Sequence, residues 1–177
     1  MSRPREPEPA KLLVGVFLKE RTLAEDIFRT LADRFGPVDM MSPWLSFDYT
    51  DYYTTEMGMP LVRRMAAFRT LIDPGDLAGI KLFTNSLEQA TAREGRRRVN
   101  CDPGYLASAQ FVLATGKNYA HRIYIGKGIY ADLTLMFHHG GFESLPWTYP
   151  DYADDCIQRF LLQVRKRYLH DLKAGKS

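Results

Sequence analysis

The run HRIYIGKGIYADLTLMF, residues 121–137, constrains the fold more than any other stretch. Two alternating apolar segments flank Gly126-Lys127-Gly128, and this pattern predicts a β-hairpin closed by a short glycine-containing loop. Placing Ile125 opposite Ile129 sets the register. Ile123 then faces Ala131 and His121 faces Leu133 on an apolar side, while Tyr124 faces Tyr130 and Arg122 faces Asp132 on a polar side.

The remaining elements are read from periodicity and punctuation. KLLVGVFL (11–18) has the length and branched content of a buried central strand. Thr22 and Glu25 form a capping box before a helical stripe of Leu23, Ile27, Phe28, Leu31 and Phe35, which Gly36-Pro37 ends. Residues 44–53 read as a strand. For 60–72 two readings stand open: Leu61, Met65, Phe68 and Ile72 suit a helix, whereas a strand pairing back on 44–53 suits the turn-like EMGMP before it. Asp73-Pro74 opens a helix carrying Leu77, Ile80, Phe83, Leu87 and Ala90 to about residue 92. Asp102-Pro103-Gly104 reads as a turn leading to the compact strand QFVLAT. After Pro150-Asp151, the residues Ile157, Phe160, Leu161, Val164 and Tyr168 define an amphipathic helix with basic residues towards its C-terminal end. The proline- and charge-rich residues 1–10 are expected to form a disordered arm, and 173–177 to fray. Between them, 11–172 should make one α+β domain: a mixed or largely antiparallel sheet covered by about three helices.

Composition narrows the classes. No stretch approaches a membrane span and the N-terminus lacks the apolar middle of a secretory signal, so a cytoplasmic protein is expected. Cys101 and Cys156 match neither a zinc pattern nor a redox pair and read as reduced structural thiols. With 24 basic and 21 acidic residues the net charge is +3, below that of a dedicated nucleic-acid binder.

Polar side chains are densest among the apolar strands between 100 and 134. Asp102, His121 and Asp132 are the acid–base candidates, while Lys117 and Arg122 could hold a phosphate or carboxylate, with Asn100 and Tyr105 as further ligand-binding residues. Each has a structural counterpart. Arg122 and Asp132 could be only a cross-strand ion pair, His121 a hydrogen-bonded side chain among apolar neighbours, and Asp102 a turn residue. Thr115-Gly116-Lys117-Asn118 is not a Walker A loop: Phe111 stands where its first glycine belongs, and Asn118 replaces the hydroxyl residue. His138-His139 should diverge on a strand, and Asp48, Asp51 and Asp102 could ligate Mg²⁺ only if the fold gathered them, so no metal site is assigned. Phe47, Tyr49, Tyr52, Tyr53, Trp147, Tyr149 and Tyr152 could stack a base or sugar, or could pack the core. Arg96-Arg97-Arg98 could grip phosphates or be a solvated turn.

FDYTDYYTTEMG, IKLFTNSLEQ, VNCDPGYL, FVLATGKNYAHRIYIGKGIYADLTL and WTYPDY, in this order, resemble a bacterial family of unknown function, DUF4416. The resemblance covers nearly the whole domain and implies a small stand-alone bacterial protein, with no reaction attached. Some similar sequences carry the label "GTP-binding protein", which would imply a nucleotide ligand; this chain lacks the Walker loop and the N-K-x-D base-reading motif, and no D-x-x-G switch is expected in it. The expected function is binding of, or action on, a small phosphorylated or nucleotide-like ligand at the 100–134 region, with the cofactor unknown. The alternative is a non-catalytic RNA-binding or protein-interaction module using the arginine turn and exposed aromatics. Whether the protein is an enzyme, and its oligomeric state, are left open.

Overall fold

The structure is a computed structural model that describes residues 1, 3–50 and 53–174. Nine strands form one antiparallel sheet: β1 (Ala10–Leu18), β2 (Val38–Met41), β3 (Leu45–Phe47), β4 (Leu61–Ile72), β5 (Val99–Leu106), β6 (Gln110–Thr115), β7 (Arg122–Gly126), β8 (Ile129–His138) and β9 (Gly141–Ser144). Their order is β2-β4-β1-β5-β6-β8-β7, with β3 beside β4 and β9 beside β8. The helices are α1 (Ala24–Phe35), α2 (Thr54–Met57), α3 (Leu77–Thr91), α4 (Pro150–Ala153) and α5 (Asp155–Ala174).

β1 is the inner strand its composition predicts, buried along its length between β4 and β5. Alternate side chains serve opposite faces. Leu13 joins Met65, Leu113 and Leu135 against Ile157, Phe160, Leu161 and Val164 of α5. Leu12, Val14 and Val16 join Ala66 and Phe68 against Ile27, Phe28 and Leu31 of α1. Leu77 and Ala78 of α3 cover Val112, Ala114 and Ile129 on that second face. Three long helices therefore sandwich the sheet, the α+β arrangement expected. Among the described residues no helix is long and apolar enough to cross a membrane.

The open reading of 60–72 resolves as strand: β4 pairs with β1 along its length, and Leu61–Arg63 pair with β3. The helical spacing of its apolar residues arises because β4 is buried on both faces over its middle, Met65 to Phe68, where apolar residues do not alternate with polar ones. Of the predicted 44–53 strand only Leu45–Phe47 forms; Asp51 and Tyr52 lie outside the described residues. No capping box forms at Thr22 and Glu25. A 3-10 turn at Arg21–Leu23 carries the chain into α1, and the residue before the helix makes no side-chain cap. Asp73 does cap as expected, accepting from the Gly75 N–H ahead of a 3-10 turn. The last helix is broken at Asp154 into α4 and α5.

The hairpin register holds at three pairs: Arg122 with Asp132, Ile123 with Ala131 and Tyr124 with Tyr130. A bulge then places Gly126, not Ile125, opposite Ile129. Gly126, Lys127 and Gly128 all have positive φ (97°, 55° and 75°), which explains glycine on both sides of the lysine. β7 ends the sheet, so Ile123 is exposed rather than buried on an apolar face.

Candidate functional site

Asp102-Pro103-Gly104 is not a turn; it lies inside β5, and its proline shapes the site. The β5–β6 ladder covers Gly104–Leu106 with Leu113–Phe111. The Cys101 backbone groups point away from β1, and those of residues 103 and 105 share that direction by strand alternation. Pro103 has no N–H to continue the ladder, and β5 and β6 splay apart there. The orphaned Cys101 backbone is served by α3 instead: Glu88 Oε1 accepts from its N–H at 2.8 Å, and Lys81 Nζ donates to its carbonyl at 2.8 Å. Lys81, Asn85 and Glu88 are spaced i, i+4, i+7, one stripe of the helix aimed at the split.

A cleft of about 750 Å³ occupies this end of the sheet, within the size range of small-molecule sites. Asn100 and Asp102 of β5 and the Lys81–Glu88 stripe form its charged floor, and the Thr115–Lys117 segment after β6 forms one rim. Tyr149 to Tyr152 form the opposite side, and Phe17, Phe47, Tyr49 and Tyr53 an aromatic wall. Phe17 and Phe47 stack at 4.5 Å with Tyr53 edge-on to Phe17. These rings pack on one another, as the packing reading of the aromatic windows expects, and they also line the cleft. Tyr152 belongs to the core as well as the lining, and Tyr52 lies outside the described residues.

Four of the seven sequence-nominated residues line the cleft: Asn100, Asp102, Lys117 and Asp132. Asn100 Nδ2 donates to Asp102 Oδ1 at 3.0 Å, and its own Oδ1 accepts from Arg97 Nη1 at 2.9 Å. Asp132, almost wholly buried, accepts from Arg122 Nε at 2.9 Å, with His121 Nε2 at 3.2 Å. Arg122 also donates to the Lys117 carbonyl and to the Tyr149 hydroxyl. The cross-strand ion pair is therefore real, and it fastens both rims of the cleft. His121 does not face Leu133; it precedes β7, stacks on Trp147 at 4.9 Å and meets Asp132, a positioning arrangement beside the cleft. Tyr105 is separate from the site: it packs with Val112, Ala114 and Ile129 beneath α3, because odd-numbered β5 residues point to that face.

The sequence did not reveal Lys81 or Glu88 as cleft residues, and Arg97, read there as a phosphate grip or part of a solvated turn, also lines the cleft. Arg97 is no solvated surface residue. Glu56 clasps it with Oε1 on Nε at 2.8 Å and Oε2 on Nη2 at 2.6 Å, and this pairing holds the Glu56 carboxyl below its ordinary value. Arg98 pairs with Glu20 at 2.8 Å, so two of the three turn arginines are committed within the molecule. Burial raises the Glu88 carboxyl, opposed by Lys81, and pushes the Cys101 thiol well up. Burial also raises Asp151 against the lowering effect of Arg63. Burial, with Asp154 as hydrogen-bond partner, raises Tyr49 to about 12. The arrangement offers paired cations and carboxylates in a partly desolvated recess, suited to orienting a polar ligand and holding protons.

His138 and His139 do not diverge: a positive φ at His139 turns the chain, and the rings approach to 3.8 Å. Among the described residues no three His, Cys, Asp or Glu side chains gather as a metal site. Asp76-Leu77-Ala78-Gly79 spells D-x-x-G, but it opens α3 with Leu77 and Ala78 buried against the sheet, not as a loop around a phosphate.

The family described as a domain of unknown function, DUF4416, matches residues 8–168. The chain belongs to this family. The match spans every strand and reaches Tyr168 of α5, so the cleft is contained within the family domain. No curated protein and no solved structure shows significant similarity to the chain.

Proposed function

We propose that the cleft between the splayed strands binds a small phosphorylated or nucleotide-like ligand. The observation carrying this reading is the split itself. A cleft of about 750 Å³ exists where a proline ends a strand ladder, and buried charged side chains replace the lost pairing. The aromatic wall offers stacking surface for a planar group, and such contacts contribute roughly 1–3 kcal/mol per base in nucleic-acid binders. Lys117 on the rim supplies positive charge, while Asn100 and Asp102 supply hydrogen bonding on the floor. Arg122, His121 and Asp132 hold the rims in place. If the ligand is transformed, Asp102 is the acid–base candidate best placed in the cleft.

A thermal-shift screen of nucleotides, sugar phosphates and other phosphorylated metabolites tests this. A ligand at about 100 times its Kd should add about 2.7 kcal/mol of stability to the wild type. Lys117→Ala and Asn100→Ala should weaken that response. Every responding compound stabilising both variants as fully as the wild type would remove the cleft as the binding site.

A further inference from the structure

Arg63 sits in an apolar strand, only 2% exposed, opposite Phe17 of β1. Its side chain crosses β1 over Gly15: a Cβ there would lie 3.0 Å from Arg63 Nη2 and 3.4 Å from the Tyr152 hydroxyl. Any larger residue at 15 would press on the guanidinium, so glycine opens the passage. On its other side Gly15 pairs with Asp102. The guanidinium is thus delivered towards the cleft floor, ringed by the cleft-lining residues Phe17, Asp102, Asp151 and Tyr152.

Nη1 binds Asp151, and the guanidinium lies over the Tyr152 ring at 4.2 Å. Nε and Nη2 meet no well-aligned acceptor among the described residues, and the Tyr152 hydroxyl lies beside the guanidinium as its nearest uncharged polar neighbour. Nε–H and Nη2–H point the same way and form the side-on fork that matches two oxygens of a carboxylate or phosphoryl group. Leaving donors of a buried charge without well-placed acceptors is costly, so a fork one layer beneath a cleft calls for an acceptor. Asp151 already balances the guanidinium, and Asp102 adds a second negative charge. A bare dianion is therefore opposed, while a singly charged group with a hydrogen-bond donor nearby is favoured.

We propose that Arg63 is the anion anchor of the cleft. Its Nε/Nη2 fork takes two oxygens of the ligand's carboxylate or phosphoryl group, the Tyr152 hydroxyl adds a third hydrogen bond, and Asp102 accepts from a donor on the same ligand. This assignment rests on the ligand-binding reading above. The fork lies one layer beneath the cleft surface, behind the cleft-lining side chains of Asp151 and Tyr152.

The test follows the Arg63 Nε–H resonance in the full-length protein during titration with acetate and with inorganic phosphate. The same titrations are run on Asp102→Asn and Tyr152→Phe, which spare the buried guanidinium. The resonance should move saturably with at least one anion. Asp102→Asn should lower the acetate midpoint several-fold, because acetate offers Asp102 no donor and a competing carboxylate is gone, and Tyr152→Phe should raise the midpoint of either anion several-fold. Response to acetate alone identifies a carboxylate ligand, and response to phosphate alone a phosphoryl ligand. A resonance that neither anion moves in wild type or Asp102→Asn overturns the anchor, as do midpoints unchanged in both variants. A ligand from the thermal screen that binds without moving Arg63 overturns the anchor but leaves the cleft reading intact. Anion binding at Arg63 without any cleft ligand does the reverse.

Discussion

Glu88 does the work of a missing strand. Its carboxylate accepts the Cys101 N–H at 2.8 Å and lies 3.9 Å from Lys81 Nζ, so α3 completes the β5 backbone at the split. Glu88→Ala leaves that buried N–H unpaired and should cost about 1–3 kcal/mol in denaturant unfolding. Glu88→Gln retains an acceptor and should cost distinctly less; equal losses would show that the backbone hydrogen bond is not what matters. Arg97 and Glu56 couple the same corner to pH. Because Arg97 depresses the Glu56 carboxyl below its ordinary 4.5, ionised Glu56 stabilises the fold above that pH. The contribution fades as pH falls through the depressed value. Thermal melts below pH 4.5 should therefore show a shallower loss of stability for Glu56→Gln than for wild type, and parallel acid limbs would remove the linkage.

Between elements, the decisive contact is the short β5–β6 ladder. Gly104 faces β6 so closely that a Cβ would meet the Val112 carbonyl oxygen at 2.4 Å and the Leu113 side chain at 2.9 Å. Backbone cannot yield as a side-chain tip can, so Gly104→Ala should force the strands further apart. The expected cost is about 1–3 kcal/mol in denaturant unfolding, with loss of amide protection at Tyr105 and Val112; protection unchanged at both would refute the close approach. The same strand shows what local sequence could and could not convey. The GKG hairpin, β1, the C-terminal end of α1 and the buried face of α5 were legible because each depends on spacing within one segment. Asp-Pro-Gly was misread as a turn because its role comes from the neighbour it fails to pair with, and the capping box was misread because a 3-10 turn carries the chain into α1. Asn100, Asp102, Lys117 and Asp132 were nominated together because they are polar residues among strands that the topology then brings to one cleft. Lys81 and Glu88 lie off the apolar stripe that marks α3 in the sequence, and Arg63 carries no local motif. Their value lies in a sheet split that no single segment encodes.

Across the whole molecule, charge is spent on fastening elements rather than on a uniform surface field. The arginine turn, the feature most suggestive of phosphate gripping along a nucleic acid, is bound into ion pairs with Glu56 and Glu20. The same device operates at greater depth in the core. Lys11, in the apolar run of β1, is fully buried and reaches Asp39 of β2 at 2.6 Å and Asp171 of α5 at 2.9 Å. One ammonium thus links the inner strand, the far edge of the sheet and the final helix. Lys11→Met matches its length but leaves the nearly buried Asp39 without its near cation, while Arg167 remains on Asp171 at 2.9 Å. Removing one partner of a buried ion pair costs about 3–5 kcal/mol, whereas replacing the pair with apolar side chains is often close to neutral. Lys11→Met alone should therefore be strongly destabilising, and adding Asp39→Leu should recover much of the loss. A double-mutant cycle by denaturant unfolding measures this. Additive losses would mean that Lys11 acts through packing alone, and that the grip of α5 on the sheet depends on its apolar face rather than on this buried charge.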